Sequence, residues 1–147
     1  DVYFSVMTPL ERCRVGRQFF ALFFLLALSA CSVLDSRAPE EVVVDRAQQR
    51  LDTLMQGDFE ASYQFTTPGY RTTEGPGRYG TRWAGVSMWL SAQVSKVTCS
   101  GKEQVDRCEV TVEVSYKAAR HEPTTTFLVE DWLRINGKWY LYQNIAE

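Results

Sequence analysis

The chain has 147 residues, of which 45% are hydrophobic and 23% charged, and its formal net charge is −2 at pH 7. This mildly acidic balance, without a run of Lys or Arg, argues against nucleic-acid binding, which depends on neutralising phosphates. The single histidine leaves few ligands for a metal site, so no metal and no cofactor are expected.

The N-terminal region has the organisation of a secretory signal peptide. Arg12, Arg14 and Arg17 precede an uncharged run rich in Phe, Leu and Ala at residues 19–30. As a helix of about 1.5 Å per residue, this run would be roughly 18 Å long, whereas the hydrocarbon core of a membrane is ~30 Å thick. A basic segment, a short apolar segment and small residues in this order predict a cleaved signal peptide at residues 1–30.

The tetrapeptide Leu-Ser-Ala-Cys at residues 28–31 resembles the lipobox of bacterial lipoproteins. The resemblance implies that the Cys31 thiol receives a diacylglyceryl group, that cleavage precedes Cys31, and that the new amine is acylated by a fatty acid such as palmitate. Several acyl chains hold a protein on a membrane almost permanently. Ser32 stands where an Asp would retain a lipoprotein at the inner membrane, which predicts the outer membrane, facing the periplasm. An uncleaved anchor or a buried core helix is the alternative interpretation.

Removal of the signal peptide leaves one compact domain on a short tether. Residues 1–6 precede Met7, and we expect them to lie upstream of the true start of translation. Without residues 1–30 the chain has 13 basic and 16 acidic residues, a net charge of −3. Residues 31–38 are predicted to form the lipidated tether, and residues 39–147 one domain, because a chain of about 110 residues suits a single core.

A long amphipathic helix is predicted to open the domain. Pro39 and the two acids after it suit a first helical turn, and the helix should run to about Gln56. Its buried stripe is expected to follow i, i+3, i+4 spacing. The apolar residues on this stripe are Val44, Ala47, Leu51, Leu54 and Met55. The polar residues largely off it are Arg46, Gln49, Arg50 and Asp52.

A second helix is predicted after a break at Gly57. Asp58 is placed to cap it, because an Asp side chain accepts hydrogen bonds from the free backbone N–H groups of a first turn. Phe59 and Tyr63, four residues apart, lie on one face, and the helix should end near residues 67–69. The two helices are expected to form an apolar lid.

A weak third helix is predicted at residues 78–84, after a loop at residues 72–77. Residues four apart share a face of a helix. The two such pairs are Tyr79 with Trp83 and Arg78 with Arg82. Since like charges on one face repel, the arginines need a neutralising group. A carboxylate elsewhere in the fold, or a solvated face, is favoured over an anionic ligand.

The remainder of the chain is predicted to be antiparallel sheet. The four strands are expected at residues 86–98, 108–117, 124–135 and 138–145. Asn136-Gly137 favours a type I′ turn between the last two strands, because both residues tolerate positive φ. The second strand alternates apolar and polar residues, which predicts one buried and one wet face. Its apolar positions are Cys108, Val110, Val112, Val114 and Tyr116.

Cys99 and Cys108 are predicted to form a disulfide. Cys13 is removed with the signal peptide and Cys31 carries lipid, which leaves one pair in an oxidising compartment. The bridge would close a β-hairpin and contribute roughly 2.5 to 3 kcal/mol in the chain-entropy model. A redox or metal role is the alternative, but redox motifs have closer spacing and a metal site lacks further ligands.

Charge pairing supports the register that this disulfide requires. If Cys99 opposes Cys108, then Lys96 opposes Thr111. Lys96 is then diagonal to both Glu109 and Glu113, where opposite charges attract across a sheet.

Helices followed by a meander that ends in a hairpin at residues 132–141 resemble the nuclear transport factor 2-like superfamily, which includes ketosteroid isomerase and SnoaL-like cyclases. The resemblance covers residues 39–145, with the break at Gly57-Asp58-Phe59 as a further mark. It implies an α+β fold, a cystatin-like roll in which helices and a curved four-stranded sheet enclose a cone, and dimerisation through the open sheet face. This fold hosts isomerases, cyclases, dehydratases and binding modules, so it implies no single function.

The candidates for catalysis are Asp131, Tyr142 and His121. With a two-residue turn, Asp131 opposes Tyr142, and an Asp between apolar neighbours can have a raised pKa and act as a general base. The plainer interpretation is that Tyr142 hydrogen-bonds Asp131, or that this hairpin face lies outside. His121 lies in a predicted loop at residues 118–123, where an exposed position is favoured over a general base or pH sensor.

Abundant aromatic residues suggest a filled interior or a pocket for a flat apolar ligand. The possible pocket residues are Tyr63, Tyr79, Trp83, Trp132 and Trp139. The leading hypothesis is a non-enzymatic binding or structural domain on the outer membrane. Its expected partners are the membrane, through the lipid anchor, and an envelope protein, a small apolar ligand or a second copy. The alternative is a cofactor-independent isomerase or cyclase that uses a pocket carboxylate.

Overall fold

The computed structural model describes residues 37–101 and 104–145. The predicted signal peptide, Cys31 and the tether as far as residue 36 lie outside the described residues. The helices are α1 (Pro39–Met55), α2 (Phe59–Tyr63), α3 (Pro68–Thr73) and α4 (Pro76–Arg82), followed by a 3₁₀ helix at Ala84–Met88. The strands are β1 (Trp89–Ser100), β2 (Arg107–Tyr116), β3 (Thr124–Ile135) and β4 (Lys138–Leu141).

The four strands form one antiparallel sheet in the order β1-β2-β3-β4. Helix α1 packs on this sheet, which confirms the predicted α+β fold of N-terminal helices on a curved meander. Within residues 37–101 and 104–145, no helix has the length and apolar character that crossing a membrane requires.

Helix α1 begins and ends as predicted, but its buried face differs. Val44 and Met55 are 38% and 37% exposed, so their predicted burial is wrong. Val43 takes the place of Val44, and Arg50, predicted off the stripe, is completely buried. The buried positions 43, 47, 50, 51 and 54 still follow one face of a 3.6-residue helix. Arg50 can occupy that face because it meets a carboxylate inside the fold.

The predictions for the short helices are confirmed only in part. Asp58 caps α2, where its side chain accepts a hydrogen bond of 2.9 Å from the Ala61 N–H, as expected. Helix α2 ends at Tyr63 rather than near residues 67–69. Helix α3 was not predicted, and its last two residues lie in the segment at residues 72–77 that was assigned to a loop. Pro68 begins this helix, because Pro suits a first turn and the Thr67 side chain accepts from the Tyr70 N–H. Pro76 likewise starts α4, two residues before the predicted boundary at 78.

Strand boundaries differ from prediction at both ends of the sheet. The first strand starts at Trp89 because the 3₁₀ helix takes up residues 84–88, and the last ends at Leu141 rather than at residue 145. The turn between β3 and β4 is confirmed, with positive φ of 50° at Asn136 and 79° at Gly137.

Two hydrophobic cores lie on the inner side of the sheet and among the short helices. The first core joins α1 to the sheet, and its members include Val43, Ala47, Leu51, Cys108, Val110, Val112, Val114, Trp132, Trp139 and Leu141. The second core consists of Leu54, Tyr63, Tyr70, Tyr79 and Val86, with Phe59, Trp83 and Trp89 partly buried against it. The Trp132 and Trp139 face of the last hairpin is therefore the buried one.

The predicted disulfide is present between Cys99 and Cys108. The two cysteines face each other across β1 and β2, and Lys96 pairs with Thr111, which confirms the predicted register. The alternation of β2 is also confirmed, because its residues 108, 110, 112 and 114 are all buried.

We expect the disulfide to contribute about 2 to 4 kcal/mol to the free energy of unfolding, because it restricts the unfolded chain. Mass spectrometry without reductant should find Cys99 bonded to Cys108. Urea unfolding of the wild type with and without reductant should show the loss of stability, and a Cys99→Ala/Cys108→Ala variant should not respond to reductant. Equal stability of the wild type in both conditions would contradict the prediction.

Candidate functional site

A buried ion pair lies between the two cores. Arg50 of α1 is fully buried, and its Nη1 donates a short hydrogen bond to Oε1 of Glu130, which is 6% exposed on β3. The second carboxylate oxygen of Glu130 accepts from Trp132 Nε1 at 3.1 Å. Arg50 Nε donates to the Tyr79 hydroxyl at 3.2 Å, which also shares a 2.7 Å hydrogen bond with Ser62 Oγ. Polar groups from α1, α2, α4 and β3 thus converge on one point.

Regular secondary structure places both charges inside. Arg50 is on the buried face of α1, between Ala47 and Leu54. Glu130 is in the inward-facing row of β3 and pairs across the sheet with Val110 of β2, which is fully buried. Each charge therefore occupies a position at which its element would otherwise present an apolar residue to the core.

Electrostatic interactions keep Arg50 in its charged form. Burial by itself lowers the pKa of Arg50, but the charge of Glu130 and the interactions with Tyr79 outweigh burial and raise that pKa. Arg50 remains a cation, and the carboxylate of Glu130 balances its charge. The pair is consequently a neutral unit inside the fold.

An aromatic cluster surrounds the arginine side of the pair. The guanidinium carbon of Arg50 lies 4.4 Å from the centroid of the Trp83 ring, within the range of a cation–π interaction. The Tyr79 ring lies 6.3 Å from Trp83 and 6.5 Å from Tyr70, and the Trp83 and Trp89 rings meet edge to face at 6.1 Å. These distances are typical of favourable aromatic pairs.

Three buried polar atoms in this cluster have no hydrogen-bond partner among the described residues: Arg50 Nη2, Tyr70 OH and Trp83 Nε1. Burial also raises the pKa of Tyr70, so its hydroxyl stays protonated. An unpaired buried polar group costs about 1 to 3 kcal/mol.

The predicted catalytic candidates lie elsewhere. Asp131 and Tyr142 are neighbours across the last hairpin, where the Tyr142 N–H donates to the Asp131 carbonyl at 2.8 Å. The Asp131 carboxylate, however, accepts from Arg107 at 2.8 Å on the outer face of the sheet, and Tyr142 is 49% exposed. His121 is exposed in the loop between β2 and β3. The three residues are not brought to one site.

The predicted pocket residues divide between the two cores. Tyr63, Tyr79 and Trp83 meet in the second core, whereas Trp132 and Trp139 belong to the first. The ion pair connects the groups, because Arg50 contacts Tyr79 and Glu130 contacts Trp132.

The two exposed arginines of α4 find local partners. Arg78 forms an ion pair of 3.0 Å with Glu74, and Arg82 donates to the Asn144 carbonyl at 2.9 Å. The predicted carboxylate near Arg78 is thus present. In the part of the chain that the structure describes, no three His, Cys, Asp or Glu residues cluster as metal ligands would.

An open groove of about 610 Å³ runs over the outside of the short helices. Its lining includes Phe59 and Glu60 of α2, Gly77 and Gly80 of α4, and Ala84 of the 3₁₀ helix. None of the candidate catalytic residues lines it.

The ion pair is the feature that sequence reasoning missed. Arg50 follows Val43 by seven residues, which places it on the same helix face. Glu130 lies between Leu128 and Trp132 in an alternating row. The sequence does contain a signal for this pair: a basic and an acidic residue occupy positions at which the helix and strand patterns predict apolar residues.

The sequence matches no protein-family model and no curated protein. The structure is similar to a SEC-C motif containing protein from Psychrobacter arcticus, with a TM-score of 0.57 and 12% identity over 76% of this chain and 64% of that one. A second SEC-C motif containing protein, from Rhodopseudomonas palustris, has a TM-score of 0.51 and 16% identity over 67% of this chain and 73% of that one.

A proposed NTF2-like transpeptidase from Campylobacter jejuni has a TM-score of 0.44 and 12% identity, over 68% of this chain and 96% of that one. The chain spans less than two thirds of the Psychrobacter protein, at 64%. At these identities the two SEC-C similarities show a shared fold and nothing about activity.

We expect Glu130→Gln to lower the free energy of unfolding by about 3 to 5 kcal/mol, because it leaves the charge of Arg50 buried and unpaired. Replacing both residues, as in Arg50→Met/Glu130→Leu, should recover most of that loss, since apolar side chains of similar volume need no partner. Urea denaturation at neutral pH measures both effects.

The neighbouring variant Asp131→Asn is a matched control. It removes a carboxylate one residue away whose ion pair with Arg107 is partly exposed, so it should cost less than about 1 kcal/mol. If Glu130→Gln were no more destabilising than Asp131→Asn, the buried pair would not have the role described.

Proposed function

We propose that this chain is a lipid-anchored protein of the bacterial outer membrane whose domain, of the nuclear transport factor 2-like type, binds or scaffolds rather than catalyses. A non-enzymatic role is supported by the hydrogen bonds of the Glu130 carboxylate. Oε1 of Glu130 accepts from Arg50 and Oε2 accepts from Trp132.

A general base needs a carboxylate oxygen within reach of the proton it removes. Glu130 has both oxygens engaged, one by Arg50 and one by Trp132. Asp131 is paired with Arg107 on the outer face of the sheet, and His121 is exposed in a loop. These positions favour binding over chemistry.

The alternative is a cofactor-independent isomerase or cyclase. Glu130 is the carboxylate that such an enzyme would use, since it is buried and hydrogen-bonded to Arg50 and Trp132. It would first have to leave Arg50, which would place an unpaired cation in the core. That requirement makes catalysis the less favoured function.

The proposed location is supported by the order of basic segment, apolar segment and lipobox-like tetrapeptide at residues 12–31. A partner in the envelope would meet the domain on its exposed side. Phe127 and Val129 are 59% and 65% exposed on the outer face of the sheet, where an envelope protein or a second copy could pack.

We expect metabolic labelling with a tagged fatty acid to mark the protein through Cys31. Cys31→Ala should abolish the label, because no other retained cysteine is free. Cys13→Ala is the matched control and should keep it, since residue 13 is removed with the signal peptide. Persistent labelling of the Cys31→Ala protein would refute the proposed anchor.

A second test separates binding from catalysis. Asp131→Asn and His121→Ala should leave folding and the cellular phenotype almost unchanged. Trp139→Ala should instead cost about 3 to 5 kcal/mol, the usual loss for a buried aromatic residue cut to Ala. The measurements are denaturant unfolding and complementation of a deletion strain. A folded Asp131→Asn protein that failed to complement would assign a general base to Asp131.

A further inference from the structure

The sheet has two edges, because the strand order β1-β2-β3-β4 leaves β1 and β4 on the outside. An edge strand presents unpaired backbone N–H and C=O groups, to which a strand of another chain can add. At β4 the segment after α2 covers this edge through a parallel β-bridge between Thr66 and Leu141. The Leu141 N–H donates to the Phe65 carbonyl at 2.8 Å, and the Leu141 carbonyl accepts from the Thr67 N–H at 3.0 Å. One residue thus pairs with the C=O before and the N–H after its neighbour.

A side chain makes the same pattern of hydrogen bonds on the edge of β1. Gln48 of α1 donates from Nε2 to the Ala92 carbonyl at 3.3 Å, and its Oε1 accepts from the Val94 N–H at 3.0 Å. The amide of Gln48 therefore pairs with the C=O before and the N–H after Gln93. It occupies the place that one backbone amide of an added strand would take.

The Gln48 amide is held in this place by a third hydrogen bond. Its Nε2 also donates to Oδ1 of Asp52, one turn further along α1, at 2.9 Å. A side-chain amide has two N–H donors and one carbonyl oxygen, so both donors and the oxygen are in use. The orientation of the amide is fixed as well, because a backbone C=O can only accept and a backbone N–H can only donate.

The part of β1 that Gln48 covers is the part best suited to pairing. Register shifts between Trp89 and Ser91 and between Val94 and Lys96 bracket a regular stretch at residues 91–94. Such irregularities bend a strand and interrupt pairing, so an added strand would find its regular edge between them. Residues 91–94 carry no charge. Two copies of this stretch would therefore meet without like-charge repulsion, which makes a second copy of β1 a fitting partner.

We infer that Gln48 closes the edge of β1 against strand addition by a second copy of this chain. Its amide occupies the hydrogen-bonding positions that the added strand needs. The inference goes beyond the proposed function, because it rests on contacts within the domain and is independent of the lipid anchor.

The test compares Gln48→Ala with Gln49→Ala in the full chain in detergent. Both variants remove an amide side chain at neighbouring positions of α1, but Gln49 is exposed and, among the described residues, makes no hydrogen bond to β1. Analytical ultracentrifugation over a range of protein concentrations measures the mass of each. We expect Gln48→Ala to form a species of twice the wild-type mass at high concentration, and Gln49→Ala to sediment as the wild type does.

Hydrogen exchange of the Val94 N–H locates the association. At low protein concentration this amide should exchange about tenfold faster in Gln48→Ala than in the wild type, because it has lost its acceptor. At high concentration its protection should return, because the strand of the second copy supplies a new acceptor. Gln48→Met keeps an unbranched side chain without the amide and should behave in the same way, which separates loss of the hydrogen bonds from loss of side-chain volume.

Three outcomes would overturn the inference. The first is that both Gln48 variants sediment as Gln49→Ala does at every concentration. The second is self-association without renewed protection of the Val94 N–H, which would assign it to another surface. The third is equal exchange of this amide in the wild type and the variants at low concentration. Absence of the fatty-acid label at Cys31, by contrast, would remove the proposed anchor and leave the role of Gln48 unchanged.

Discussion

The ion pair between Arg50 and Glu130 is the constraint on which the rest of the domain depends. The two residues are 80 positions apart in the chain and meet inside the fold. A buried ion pair adds little net stability over apolar residues, but loss of either partner is costly. A slip of one residue in β3 would move Glu130 to the outer face and leave Arg50 alone. We infer that the pair selects one packing of α1 on the sheet.

The same pair joins the two hydrophobic cores. Arg50 reaches Tyr79 in the second core, and Glu130 reaches Trp132 in the first. The helical layer and the sheet therefore share hydrogen bonds as well as apolar contact.

The fold similarity shows the architecture of this domain, whereas the chemistry of individual side chains bears on its function. A TM-score of 0.57 at 12% identity establishes a shared architecture, and such architectures host unrelated functions. Two groups of this domain bear on function: the Glu130 carboxylate has both oxygens occupied, and Asp131 is paired with Arg107 on the outer face of the sheet. Both features favour the proposed binding role over acid–base chemistry.

The sequence by itself determined the order of the main helix and the four strands, the Asn136-Gly137 turn and the pairing of Cys99 with Cys108. These follow from local periodicity, turn chemistry and alternation, which depend on neighbours in the chain. Only the tertiary structure decided which face of the last hairpin is buried, because both faces carry apolar residues. It also decided that Arg50 and Glu130 meet, since contact between elements so far apart depends on how they pack and leaves no local periodicity to detect.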